Sequence, residues 1–244
     1  MFFNYILYQL NKLMNFNEFF GKNTPKKDDD LGINSSIGSR HYRAFVGPPD
    51  KYDLVAANQF NLLTLLGLRE YHYFLDIGCG SLRGGRLFIP YLLPNRYFGI
   101  EPEQWLLEEG INQNCGKDLI KIKSPHFSND KNFILSKFGQ NFDFILAQSI
   151  FSHASKDQII KCMSEAKKVM TSNSIFVATF VKGNTNNDSN KWLYPDCGTY
   201  TLDFMLSMIK SEGLYAKPLK WTHPNNQTWL AIVRDENKNN IPDL

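Results

Sequence analysis

An apolar run, "YHYFLDI", ends on Asp76 and Ile77 and passes straight into "GCGSLRGG". Four glycines, Gly78, Gly80, Gly84 and Gly85, fall within the eleven residues from Leu75 to Gly85. Glycine loses more conformational freedom on folding than any other residue. A cluster of glycines therefore marks a place where the backbone must turn tightly or come close to something. In an open α/β sheet, ligands bind outside the carboxyl ends of the strands. The helix that follows such a bend points its free N–H groups at the same place. The stretch predicts a strand, a bend and a helix, with a ligand at the bend.

The rest of the chain repeats the alternation. "DKYDLVAANQFNLLTLLGL" reads as a helix ending at Gly67, and "LRGGRLFIPYLL" as another that Pro90 ends or kinks. "RYFGIE", "NFDFILA" and "SIFVATFV" read as strands, and "EQWLLEEGI" as a helix. Between Lys117 and Gly139 the pattern yields only a weak strand. "SKDQIIKCMSEAKKVM" has the strongest helical period, with Ser155 and Gln158 spaced as a capping box. Thr201 caps "TLDFMLSMIKSEG", and Gly213 ends it. "LYAKPLKW" and "QTWLAIV" close the chain as a hairpin around "THPNN". Strands alternating with helices predict a mostly parallel sheet covered on both faces, with an antiparallel strand near the end.

The chain has 244 residues, 43% of them hydrophobic, enough for one sizeable core. We divide it into an N-terminal helical extension and linker (1–35), a main domain (36–234) and a polar tail (235–244). Within the main domain, 36–70 forms a lid and helix ahead of a core at 71–234. The net charge of +3 gives no reason to expect nucleic acid as a partner. Cys79, Cys115, Cys162 and Cys197 form no C-x-x-C pair, so neither zinc nor a disulfide framework is expected, and no metal site. Scattered free thiols suit a reducing, cytoplasmic setting. "MFFNYILYQLNKLMNFNEFF" lacks the form of a signal peptide or a spanning helix. It reads as a docked helix, with peripheral membrane contact as the lesser reading.

The spacing at the bend narrows the ligand. Dinucleotide sites carry G-x-G-x-x-G, whereas here the pattern is G-x-G-x-x-x-G with Asp76 two positions ahead. An acid so close suits an amino group or a cation better than a pyrophosphate. "YFGIEP" ends the second strand in Glu101, where an acid can accept both ribose hydroxyls, and Pro102 then turns the chain. Asp76-Ile77-Gly78-Cys79-Gly80 resembles the first motif of the class I S-adenosylmethionine-dependent methyltransferases, and Glu101 matches their ribose-binding acid. "FDFILAQSIFSHAS" resembles their fourth-strand motif. The similarity spans roughly Val46 to Val233, and "GCGSLRGGR", "YFGIEP" and "AQSIFSH" are most similar to uncharacterised bacterial members.

The resemblance implies a Rossmann-like α/β fold. Its seven-stranded, mostly parallel sheet runs in the order 3-2-1-4-5-7-6, with strand 7 antiparallel and helices on both faces. It implies S-adenosylmethionine as cofactor, with Gln148 and Ser149 beside its methionine part. It also implies a residue near the adenine amino group after strand three. Asp130 and Asn132 are the candidates, with Asn132 favoured and Phe133 packing on the ring.

Methyl transfer from a sulfonium needs alignment, exclusion of water and often removal of one proton. His153, just past the fourth strand, is the candidate base, since histidine titrates near neutral pH. Tyr52, Tyr194 and Tyr200 are candidates for contact with the acceptor. Tyr42, Arg43, Arg83 and Arg86 can reach the cofactor carboxylate or the acceptor. Trp221, His223 and Trp229 frame the hairpin turn, which a regular hairpin is expected to place at the sheet end opposite the donor site. The function expected is methyl transfer to a small molecule or a glycan or lipid-linked precursor. A binding or scaffold protein that keeps the donor pocket without turnover is the alternative. An NAD(P)-dependent oxidoreductase is disfavoured by the glycine spacing.

Overall fold

The computed structural model describes residues 31–241. The helix expected within residues 1–30 lies outside them. The strands are β1 (Phe74–Ile77), β2 (Tyr97–Ile100), β3 (His126–Ser128), β4 (Phe142–Ala147), β5 (Met170–Lys182), β6 (Thr199–Tyr200), β7 (Leu214–Pro218) and β8 (Thr228–Arg234). They form one sheet in the order β3-β2-β1-β4-β5-β8-β7, with the two-residue β6 paired off the path to β5. All neighbours are parallel except those of β8, which runs antiparallel to both β5 and β7. Setting β6 aside, this is the order 3-2-1-4-5-7-6 with an antiparallel seventh strand, as expected.

Every residue of β1 is buried, as a central parallel strand requires. Its side chains alternate between two cores. Leu75 and Ile77 join the core that also holds Ile159, Met163 and Ala166 of α5 (Lys156–Val169) and Met205 and Ile209 of α6 (Leu202–Ser211). Phe74 joins the core on the other face, with Leu62 and Leu63 of α1 (Tyr52–Leu65) and Phe88 and Ile89 of α2 (Gly85–Tyr91). The rings of Phe74 and Phe88 lie 4.5 Å apart, and each such buried side chain contributes roughly 1.5–3 kcal/mol.

The caps follow the sequence. Gln158 N–H donates to Ser155 Oγ and Ser155 N–H donates to Gln158 Oε1, closing the expected capping box on α5. Thr201 Oγ1 caps α6 by accepting from Phe204 N–H. Pro90 stands one residue before the end of α2. Beyond β2 lies α3 (Gln104–Gly110). The stretch that carried only a weak strand signal contains a further helix, α4 (Lys117–Lys123), ahead of β3. The terminal segment is less detached than a polar tail: Asp235–Asn240 forms a 3-10 turn, and Ile241 packs into the second core.

One expectation is reversed. Strands β5 and β7 are both antiparallel to β8, so β7 runs in the direction of β5 and ends at the carboxyl edge of the parallel strands. The β7–β8 turn therefore lies at the same end of the sheet as the glycine bend, not opposite it. Trp221 and His223 belong to the site's surroundings for that reason.

Candidate functional site

The bend leaves β1 with Gly78 at φ +71° and Gly80 at φ +57°, conformations that favour glycine. Gly78 and Cys79 N–H both donate to the Ile100 carbonyl, which ties the bend to the end of β2. The same strand end presents Glu101. Gly80 N–H donates to one carboxylate oxygen at 3.0 Å and Glu103 N–H to the other at 2.8 Å. Burial pushes the Glu101 carboxyl up to about 7, against the pull of those two backbone donors. Each oxygen keeps a lone pair beyond its backbone donor, so the carboxylate is fixed and still able to accept.

Asp76 stands one strand over and is also buried. The Tyr97 hydroxyl donates to it at 2.8 Å, and burial raises its carboxyl to about 6. Two neighbouring buried acids beside a glycine bend suit a ligand bearing hydroxyls and positive charge. The later glycines serve packing instead. A Cβ on Gly84 would lie 2.4 Å from Gln59 Nε2 of α1, and one on Gly85 would lie 3.0 Å from the Tyr97 hydroxyl. They seat α2 on α1 and β2.

The segment before α1 folds across the bend as a strap. A Cβ on Gly80 would meet Val46 Cγ1 at 2.8 Å, and one on Gly78 would meet Ile150 Cδ1 at 2.1 Å. The strap is held by the Arg83 guanidinium, which donates to the Val46 carbonyl at 2.7 Å, and by the Tyr194 hydroxyl, which donates to the Phe45 carbonyl. The Phe45 ring packs on Trp105 at 5.0 Å and on Tyr194 at 5.1 Å, and Arg40 lies over Trp105 at 4.7 Å. Arg43 and Arg86 share the Asp53 carboxylate.

Past β4, the Gln148 carbonyl accepts from Arg83 while its amide nitrogen donates to Ser149 Oγ at 2.7 Å. The same nitrogen lies 3.1 Å from His223 Nε2, so the hairpin turn reaches the end of β4. Burial, with the Arg83 and Lys51 charges nearby, pushes His223 down to about 4 and keeps it neutral. Ser149, at φ +60°, receives Gln227 at its hydroxyl and donates its N–H to Thr179. Lys51 Nζ and Asn58 Nδ2 donate to the Pro224 and Thr222 carbonyls, tying the turn to the strap and α1.

His153 stands on the same side, through aromatic contacts. Its ring is 5.0 Å from Tyr194 and 5.7 Å from Trp192. Its Nδ1 is 2.7 Å from the Asp196 carbonyl, which can only accept, so Nδ1 carries the proton and Nε2 presents a lone pair. Burial lowers its pKa, so it is neutral at pH 7.

The structure thus gathers Asp76, Gly78, Cys79, Gly80, Glu101, Gln148 and Ser149 at one sheet edge, with Tyr194 and His153 beyond the strap. Five others sit differently. Tyr52 is buried beneath the bend, its hydroxyl bonded to Ser81 and Asn114, and supports the bend rather than facing an acceptor. Tyr200 is buried in the first core with its hydroxyl on the Ala154 carbonyl. Pro102 is exposed past Glu101. Asn132 is exposed on a turn, where its N–H donates to Asp130 Oδ1, and Phe133 packs against the first core. Of the two candidates after β3, Asp130 lies nearer the strand end. Its own N–H is 3.2 Å from Ser128 Oγ, and the Ser128 carbonyl accepts from Glu101 N–H. Among the described residues no cluster of His, Cys, Asp and Glu is arranged to hold a metal.

Val46 and Trp105 carry no motif and could not be singled out from the sequence, and Ile150, although within the fourth-strand stretch, had no signal of its contact with the bend. Sequence reasoning also set His223 on the wrong edge, although the strand order itself holds the signal that would have placed it.

No protein-family model matches the sequence, and no curated protein matches it. Solved structures do match the fold. A S-adenosylmethionine-dependent methyltransferase from Clostridium acetobutylicum ATCC 824 superposes with a TM-score of 0.57 at 12% identity, covering 79% of this chain and 98% of that one. The magnesium protoporphyrin IX methyltransferase from Synechocystis PCC 6803, with bound S-adenosylmethionine, gives 0.59 at 13% identity, covering 86% and 99%. The CcbJ methyltransferase from Streptomyces caelestis gives 0.53 at 15% identity, covering 78% and 97%. The strand order, the glycine bend and these likenesses agree that the chain has the fold of the class I S-adenosylmethionine-dependent methyltransferases.

Proposed function

We propose that this protein is a S-adenosylmethionine-dependent methyltransferase acting on a small molecule or on a glycan or lipid-linked precursor. The observation that carries the reading is the Glu101 carboxylate, fixed by Gly80 and Glu103 N–H at the end of β2 against a bend of left-handed glycines. The residues fit the donor. Glu101 would hold the ribose hydroxyls, and Gly78 and Gly80, with no side chains of their own, would let the ligand reach the backbone once Val46 and Ile150, which pack on them here, move aside. Asp76 would face its positive charge. Bound there, the donor supplies a methyl group already activated on a sulfonium.

The chain's own work is then positioning and proton handling. Val46, Phe45 and Tyr194 cover the bend and exclude water. His153, with its proton held on Nδ1 by Asp196, keeps a basic Nε2 for an acceptor hydroxyl or amine. A prepared tautomer of this kind favours turnover over binding alone.

Calorimetry with S-adenosylmethionine and with NADH tests the reading. Saturable binding of the first and none of the second supports it; the converse overturns it. A screen of metabolite, glycan and lipid extracts with methyl-labelled donor would then find the acceptor class.

A further inference from the structure

The β7–β8 turn gathers polar groups that the chain itself leaves unmatched. Seven buried side-chain nitrogen and oxygen atoms among the described residues have no hydrogen-bond partner, and four of them meet here. They are the indole Nε1 of Trp221 and of Trp229 and the amide oxygens of Asn58 and Asn225. Asn58 stands on α1 and donates its amide nitrogen to the Thr222 carbonyl at 2.9 Å. His223 adds a third unmatched donor. Its Nδ1 accepts from Asn225 N–H at 3.0 Å, so the ring proton sits on Nε2. That proton faces the Gln148 amide nitrogen at 3.1 Å, because the Gln148 oxygen is taken by Arg83. A buried indole N–H ordinarily finds an acceptor, and a donor left unmade is costly.

Trp221, His223 and Trp229 also line one cleft of about 530 Å³, together with Asn226 and Gln227. The cleft shares a wall with the donor cradle: Gln227 Nε2 donates to Ser149 Oγ at 2.7 Å, and His223 reaches Gln148. Residues 219–227 lie outside any helix or strand, so the turn can shift and uncover its N–H groups without breaking the sheet. The lining selects the ligand. A flat hydrocarbon leaves all three donors unmatched. An anion answers them but is repelled by the Asn58 and Asn225 oxygens. A hydroxyl both donates and accepts, so a ring that carries several answers both kinds of group. Indole offers such a ring an apolar face for its C–H side and an N–H for its hydroxyls.

We propose that the cleft at the β7–β8 turn binds a neutral, hydroxyl-rich sugar ring, and that this ring belongs to the methyl acceptor. The proposal rests on reading the cradle as a donor site. The ring shifts the turn, stacks on Trp221 and takes up the Trp221, His223 and Trp229 N–H groups with its hydroxyls. The acceptor is then a saccharide or glycoside rather than a flat aromatic molecule or an acid.

The test is saturation-transfer NMR on the full chain, which observes the small molecule directly. The probes are glucose, galactose, mannose, rhamnose and N-acetylglucosamine, with benzoate and inorganic phosphate as acidic counterparts. At least one sugar should bind saturably, and should still bind when S-adenosylhomocysteine fills the cradle. Trp221→Phe keeps the ring and deletes only the N–H, so it should weaken that sugar about three- to tenfold. Trp221→Ala, which also loses the stacking face, should abolish its binding. Circular dichroism of Trp221→Phe separates this loss from misfolding. No sugar binding, or a sugar that Trp221→Phe binds as wild type does, overturns the proposal. So does binding of the acids in place of the sugars, or displacement of the sugar by S-adenosylhomocysteine, which would put it in the cradle. In each of these cases calorimetric binding of S-adenosylmethionine leaves the donor reading standing. Failure of wild type to bind S-adenosylmethionine overturns that reading, and the acceptor role of the sugar with it.

Discussion

Glu101 carries opposing demands. Burial raises its carboxyl to about 7 and that of Asp76 to about 6, from ordinary values of 4.5 and 3.8. The folded chain therefore holds protons that the unfolded chain has released, and these groups cost stability as pH rises from about 4 to 7. Glu101→Gln removes that cost. Its carbonyl still accepts one backbone N–H, so it should raise the unfolding free energy of the unliganded protein at pH 8, by on the order of 1 kcal/mol, and much less at pH 4.5. With Glu101 in its proposed role of accepting ribose hydroxyls, the same change should weaken donor binding by about 1.5–3 kcal/mol. A variant that is destabilised at pH 8 and binds normally would contradict both statements. Donor affinity in wild type should rise with pH through about 7 and then level off, as measured by calorimetry across pH 5.5–8.5. At Gly78, alanine combines a left-handed φ with a collision against Ile150. Gly78→Ala should cost roughly 1–3 kcal/mol by denaturant unfolding.

Elements were legible where local chemistry decides them. The capping box on α5 could be read because Ser155 and Gln158 satisfy each other within one turn, and Ser155→Ala should cost about 1 kcal/mol in urea melts. The glycine bend and the acid after β2 were legible for the same reason: a strand end, a turn and a carboxylate are neighbours in sequence. Helix α4 was not, because Lys117–Lys123 is only seven residues long and packs on the second core through the partly buried Leu119 and Ile120 alone, too short a stretch to show a helical period. The two-residue β6 depends on pairing with β5 and has no period of its own. The hairpin turn shows the limit most clearly. Its residues read as edge packing, yet parallel alignment of β7 with β5 carries His223 to Gln148, 75 residues earlier in the chain. Such contacts are set by sheet order, which local patterns do not encode. Tyr52 and Tyr200 illustrate the converse: aromatic residues near a motif that the fold uses for support and for core packing.

At the scale of the molecule, three chain-distant segments meet over the bend. They are the strap with Phe45 and Val46, the loop with Tyr194, and the β7–β8 turn with His223. Val46 and Ile150 rest on the glycines themselves, so a ligand that enters the cradle must displace them. Saturating donor should therefore change hydrogen exchange in residues 38–47 and 192–198 and leave the β1–β4 centre unaltered, a pattern mass spectrometry reads directly. Donor at a hundred times its Kd should also add about 2.7 kcal/mol of stability. Every role assigned at the bend depends on donor binding there. Calorimetric titration of the full chain with S-adenosylmethionine should show one saturable site, weakened at least tenfold by Glu101→Ala. No heat with S-adenosylmethionine, or the same affinity in Glu101→Ala, would contradict it.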